Sequence, residues 1–220
     1  MTPYPSPNFG ERRGGVSPSL VVIHYTAISC DEARARLCDP AAEVSAHWLI
    51  SETGTTEALV DERHRAWHAG AGGWAGLEDI NSHSIGIELA NDGQQPFSEP
   101  QMAALERLLA AILARWSIAP HRVIGHSDMA PTRKSDPGPH FDWRRLALQG
   151  LAVWPEPNTS ATGRSEAPLA NSLTAIGYPD APDTARLAAF RLRVRPWAAG
   201  PEDATDRRLA ADLANRAATA

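Results

Sequence analysis

Residues 20–25 read LVVIHY, and residues 84–90 read SIGIELA. Each is a short apolar run rich in β-branched residues. LVVIHY is expected to be a strand buried on both faces rather than one face of an open sheet, and SIGIELA is expected to be another buried strand. Working outward, Pro3, Pro5, Pro7, Gly10, Gly14, Gly15 and Pro18 make residues 1–19 an extended entry arm. A helix is expected over about Asp31–Leu37, stopped by Pro40. HWLI and ETGTTEALV predict two strands joined around Gly54. Residues 65–82, rich in Gly, Trp and His, read as loop. Ser98 and Gln101 fit a capping box with Pro100 in the first turn. Met102, Leu105, Leu109, Ile112 and Trp116 then recur at helical spacing. RVIGH (122–126) is a strand edge, 127–140 a Pro-rich loop, and 142–149 a closing helix.

Beyond Trp154 the composition changes to PEPNTSATGRSEAP, which has no apolar period. We take 1–154 as one domain, 155–168 as a linker and 169–220 as a small unit with three short helical patterns. About 50 residues is small for independent stability, so that unit is expected to dock on the main domain.

The chain has 220 residues, 43% hydrophobic and 21% charged, with a net charge of −5. It can bury a core, and it carries no bulk positive charge for nucleic acid. No apolar run reaches the roughly 18 residues of a membrane span, and no secretory signal is visible in MTPYPSPNFGERRGG. Cys30 and Cys38 flank the expected helix, whose rise of roughly 12 Å is too long for a disulfide. Reduced, buried thiols fit a reducing compartment.

Of 21 basic residues only Lys134 is lysine. Arginine serves surface charge everywhere else, so a compact or titrating amine is one reason to keep a lysine; codon bias with one survivor is the other. Four further polar residues sit at strand ends or in strands where apolar ones are expected: His24, Glu88, His126 and, just past the last strand, Asp136. Two histidines and one aspartate can give zinc three protein ligands and leave a fourth position for water. Glu88 could then take a proton and Lys134 steady an oxyanion. Spacing alone does not select these residues from eight histidines, because the chain has no HExxH or CxxC run.

Five blocks change that: SPNF…LVVIHYTA, VSAHWLI, RAWHAG, NSHSIGIELAN and VIGHSDMAPTRKSDPGPHFDW. In this order they resemble the zinc-dependent N-acetylmuramoyl-L-alanine amidases of type 2, over most of residues 6–154. The resemblance implies an α/β fold, a mixed β-sheet flanked by helices, with a small C-terminal helical appendage. It implies one Zn²⁺ on His24, His126 and Asp136, with Glu88 and Lys134 assisting catalysis. Asp136 and Ala46 stand where the phage and animal branch has Cys and Tyr, so the pattern looks like the bacterial branch of cell-wall turnover and recycling. The expected partners are peptidoglycan fragments, and the protein is expected to be a monomer. Trp67, His68 and Arg133 are candidates for contacts with substrate. His47 is one too, or a core histidine, and Asn91 is a candidate for the stem peptide. The segments IGYPDAP, AAFRLRVRP and GPEDATDRRLAADL resemble a three-helix peptidoglycan-binding appendage; a helical cap over apolar surface is the alternative. A non-catalytic peptidoglycan binder is the rival to an enzyme. The compartment expected from the thiols and the absent signal is the cytoplasm, while a wall-binding appendage would fit the envelope.

Overall fold

A computed structural model describes residues 5–156 and 168–219. Most of the expected linker, and residues 1–4 of the entry arm, lie outside the described residues. The elements in chain order are β1 (Phe9–Gly10), β2 (Leu20–Tyr25), α1 (Cys30–Cys38), β3 (Trp48–Ile50), β4 (Thr56–Ala58), β5 (Arg65–Ala66), α2 (Ile80–His83), β6 (Ser84–Leu89), α3 (Glu99–Trp116), β7 (Val123–Gly125), α4 (His126–Met129), α5 (Trp143–Leu148), α6 (Leu169–Ile176), α7 (Asp183–Val194) and α8 (Ala204–Thr219).

Five strands form one mixed sheet in the order β4-β3-β6-β2-β7. β2 lies at its centre-right, parallel to both β6 and β7, while β3 runs parallel to β6 and antiparallel to β4 at the edge. Leu20, Val21, Val22 and Ile23 are all fully buried, as an all-apolar strand requires. The pleat sends them to two cores. Val21 and Ile23, with Ile85, Ile87 and Val123, pack against Met102, Leu105, Leu109 and Ile112 of α3. At roughly 1.5–3 kcal/mol per fully buried large side chain, that α3 stripe alone stabilises the layer by an upper bound of about 6–12 kcal/mol. Leu20, Val22 and Ile124 point the other way, into a cluster with Leu173, Tyr178, Leu187, Phe190 and Leu213 of the C-terminal segment. The three C-terminal helices therefore form the second layer over part of the sheet.

Local chemistry refines several expectations. Ser98 does cap α3 through the Gln101 amide. The Gln101 side chain, however, donates to the carbonyls of Ile50 and Ala90 instead of closing the box. A full capping box does open α1, between Ser29 and Glu32. The segment expected as loop over 65–82 contains β5, paired with β1, and the start of α2. The loop over 127–140 begins inside the short α4. Cys30 and Cys38 sit unpaired at opposite ends of α1 and are half-buried rather than buried. Among the described residues no helix is long and apolar enough to cross a membrane.

Candidate metal centre and cleft

Three adjacent parallel strands, β6, β2 and β7, end at one place, and their carboxyl ends carry or adjoin the polar residues. His24 is the fifth residue of β2 and pairs in register with Glu88 of β6. His126 follows β7 directly, as the first residue of α4. Asp136 returns to them because the Asp136 carbonyl accepts the Ser127 amide at 2.9 Å. A cleft of about 410 Å³ opens above these ends, lined among others by His24, Trp67, His68, Glu88, His126, Arg133, Lys134 and Asp136. Open α/β sheets present their ligand sites at this end.

Among the described residues, His24, His126 and Asp136 are the one group whose donor atoms converge as metal ligands would. His24 Nδ1 lies 2.8 Å from His126 Nδ1, and each lies 3.0 Å from Asp136 Oδ2. The outer hydrogen bonds determine where the ring protons are. His126 Nε2 lies 2.8 Å from the Ala69 carbonyl, which only accepts, so Nε2 donates there and Nδ1 is the nitrogen turned to Asp136. The Ser84 hydroxyl donates to the Ile80 carbonyl, so it accepts from His68 Nε2 at 3.1 Å. His68 Nδ1 must then accept from His24 Nε2 at 3.0 Å, which leaves His24 Nδ1 a lone pair. Burial, followed by the neighbouring His126, holds the His24 pKa down at about 4, and burial likewise depresses His68 far below the usual range. Two imidazole nitrogens and a carboxylate oxygen thus face one another at one point. Such a donor set fits a cation, and its nitrogen-and-oxygen chemistry suits zinc.

Glu88 completes the cleft floor. Its Oε2 is buried and has no hydrogen-bond partner. Burial, then the charge of Asp136, raises its pKa to about 8, with Lys134 pulling the other way. The Lys134 charge also reaches His24, so the single lysine of the chain stands beside both groups.

The remaining candidates divide. Trp67 lines the cleft. Arg133 does too, with Nη2 held by the carbonyls of Ala69 and Ala71. His68 forms wall rather than open surface, since both its nitrogens are engaged by His24 and Ser84. His47 is corrected from a substrate contact to the core histidine that was its alternative. It is fully buried; Nδ1 accepts the Gly86 amide at 3.0 Å and Nε2 lies 3.1 Å from the His64 carbonyl. Asn91 is also corrected. It is buried outside the cleft, where Oδ1 accepts the Gly93 amide and Nδ2 donates to the Gln95 carbonyl, closing a turn. Sequence reasoning missed Ser84 and the Ala69 carbonyl, whose roles exist only across strands. It also missed the α1 wall of the cleft, where Arg36 and Leu37 stand.

The family profile for N-acetylmuramoyl-L-alanine amidase, Amidase_2, matches residues 14–139. The chain belongs to this amidase family. It is 38% identical over 208 residues to the N-acetylmuramoyl-L-alanine amidase AmiD of Escherichia coli K12, covering 80% of this chain and 75% of that protein. It is 36% identical over 159 residues to the 1,6-anhydro-N-acetylmuramyl-L-alanine amidase AmpD of Haemophilus influenzae, covering 64% of this chain and 86% of that one. The structure of E. coli AmiD in complex with the substrate anhydro-N-acetylmuramic acid-L-Ala-D-gamma-Glu-L-Lys superposes with a TM-score of 0.83 at 34% identity. That match covers 95% of this chain and 98% of the AmiD chain in that structure. The expected mixed sheet flanked by helices is the amidase fold seen there.

Proposed function

We propose that this enzyme uses zinc, held by His24, His126 and Asp136, to hydrolyse the amide between the lactyl group of N-acetylmuramic acid and the L-alanine of a stem peptide. One observation carries the reading. Three ligand atoms converge near a half-buried carboxylate, Glu88, whose Oε2 has no partner, in a cleft that also holds Lys134. Zinc bound there would polarise the scissile carbonyl and acidify water. Glu88 accepts a proton from the water as its oxygen bonds to the carbonyl carbon. The raised pKa suits a base working near neutrality. As the C–N bond breaks, Glu88 returns that proton to the departing alanine amine. Lys134 donates to the oxyanion that develops on the former carbonyl oxygen. Trp67 offers its indole face to the sugar. Arg133 meets a stem carboxylate, for which a guanidinium is shaped.

The substrates are peptidoglycan fragments, with soluble anhydro-muropeptides favoured over intact sacculi by the AmpD likeness. The unpaired thiols of Cys30 and Cys38 support work in the cytoplasm. A digest of soluble anhydro-muropeptide and of sacculi, with and without a chelator, tests the reading by mass spectrometry. Release of free stem peptide that stops on chelation is expected. A cut within the glycan or between peptide residues would overturn it, and so would tight zinc binding with no turnover, which would leave a peptidoglycan binder.

A further inference from the structure

Asp128 is a buried carboxylate on the same turn as His126. It lies two residues past His126 and is 1% exposed. Oδ2 accepts the Gly125 amide at 2.8 Å, which ties the carboxylate across the start of α4. Its other partners come from the far end of the chain. Arg193 of α7, itself 6% exposed, donates to Oδ2 at 2.9 Å, and the Tyr178 hydroxyl donates to Oδ1 at 2.6 Å. The Arg193 guanidinium also reaches the Val123 carbonyl and lies 4.0 Å over the Trp143 ring. It is thereby fixed to both β7 and α5.

The turn held in this way carries most of the site. It presents His126. Its Ser127 amide donates to the Asp136 carbonyl, so the second ligand segment hangs from the same turn. The Ala130 carbonyl accepts the amides of Arg133 and Lys134, so the lysine loop starts from the turn's end. Gly125, at its start, has no room for a side chain, since a Cβ would meet Pro137 at 2.7 Å. Little slack separates the turn from the Asp136 segment.

We propose that Arg193 and Tyr178, acting through Asp128, are positioning residues for the metal centre. On this account the three C-terminal helices are a working part of the active site in addition to any hold they have on the cell wall. This rests on the zinc reading above, and the two fail differently. Wild-type protein that binds no zinc removes the reading itself; unchanged zinc affinity in the variants removes only this proposal.

The test uses the full-length chain and the zinc ion alone, titrated against a chromogenic chelator, together with kcat and KM on muropeptide. Tyr178→Phe deletes one oxygen, and Asp128→Asn keeps the shape of the side chain. Asp206→Asn is the control. It breaks the buried Arg191–Asp206 pair, which lies wholly within the C-terminal helices. Outer-shell changes of this kind typically cost about 10–100-fold in metal affinity. Tyr178→Phe and Asp128→Asn should weaken zinc binding by about 10-fold or more and lower kcat, with KM little changed. Asp206→Asn should lower thermal stability and leave zinc affinity at the wild-type value. The proposal is overturned if Tyr178→Phe and Asp128→Asn bind zinc within about twofold of wild type. It is overturned equally if Asp206→Asn weakens zinc binding as much as they do.

Discussion

Glu88 should be a liability to the metal-free fold, and Glu88→Gln should reveal it. Its pKa rises from 4.5 to about 8 because the carboxyl is buried beside Asp136. A carboxyl whose folded pKa is raised adds stability that is complete below 4.5 and is lost as pH climbs through 8. Each pH unit in that interval is worth about 1.4 kcal/mol, so at pH 7 the buried carboxyl costs the fold up to about 3 kcal/mol. Glutamine has the same shape and no charge to desolvate. In the presence of a chelator, Glu88→Gln should therefore melt higher than wild type at pH 7–8. For a chain of this size the gain is roughly 6–12 °C. At pH 4 the two proteins should melt together, since every other titrating group is common to both. Saturating zinc should narrow the gap, because a nearby cation favours the ionised carboxylate. Activity should fall by about 100-fold or more in the same variant. A difference in melting temperature that does not change between pH 4 and 8, or no difference at either, would refute the assignment of a strained carboxyl at this position.

Two further changes probe the other parts of the cleft. Lys134→Arg keeps the charge but replaces the compact ammonium with a planar fork. It should lower kcat on the order of 10²-fold while zinc content, measured by elemental analysis, stays at wild type. Gly86→Ala should destabilise the protein by about 1–3 kcal/mol in urea unfolding, because a Cβ there overlaps the His68 ring that supports His24.

The parts of the fold legible in the sequence were those that local pattern controls. LVVIHY and SIGIEL announce buried strands by their Val, Ile and Leu residues, and the α3 stripe announces its buried face. Their parallel pairing joins residues about 64 apart in the chain, as with His24 and Glu88, and no local spacing encodes that. The metal ligands were legible as out-of-place polar residues whose grouping came from the family resemblance. His68 was visible as a cleft residue, but its support of His24 depends on Ser84, which arrives on another strand. The Asp128–Arg193–Tyr178 group was hidden for the same reason, its partners lying 50 and 65 residues apart. The one local hint was an arginine, Arg193, beside Val194 on a helix that also buries Phe190.

The central claim is that two imidazoles and one carboxylate grip a single zinc ion and leave it a position for water. X-ray absorption spectroscopy at the zinc edge on protein loaded with one equivalent tests it directly. The account predicts a four-coordinate nitrogen-and-oxygen environment with scattering from two imidazole rings, which is lost in His126→Ala. A sulfur shell from Cys30 or Cys38, or an unchanged spectrum in that variant, would contradict it.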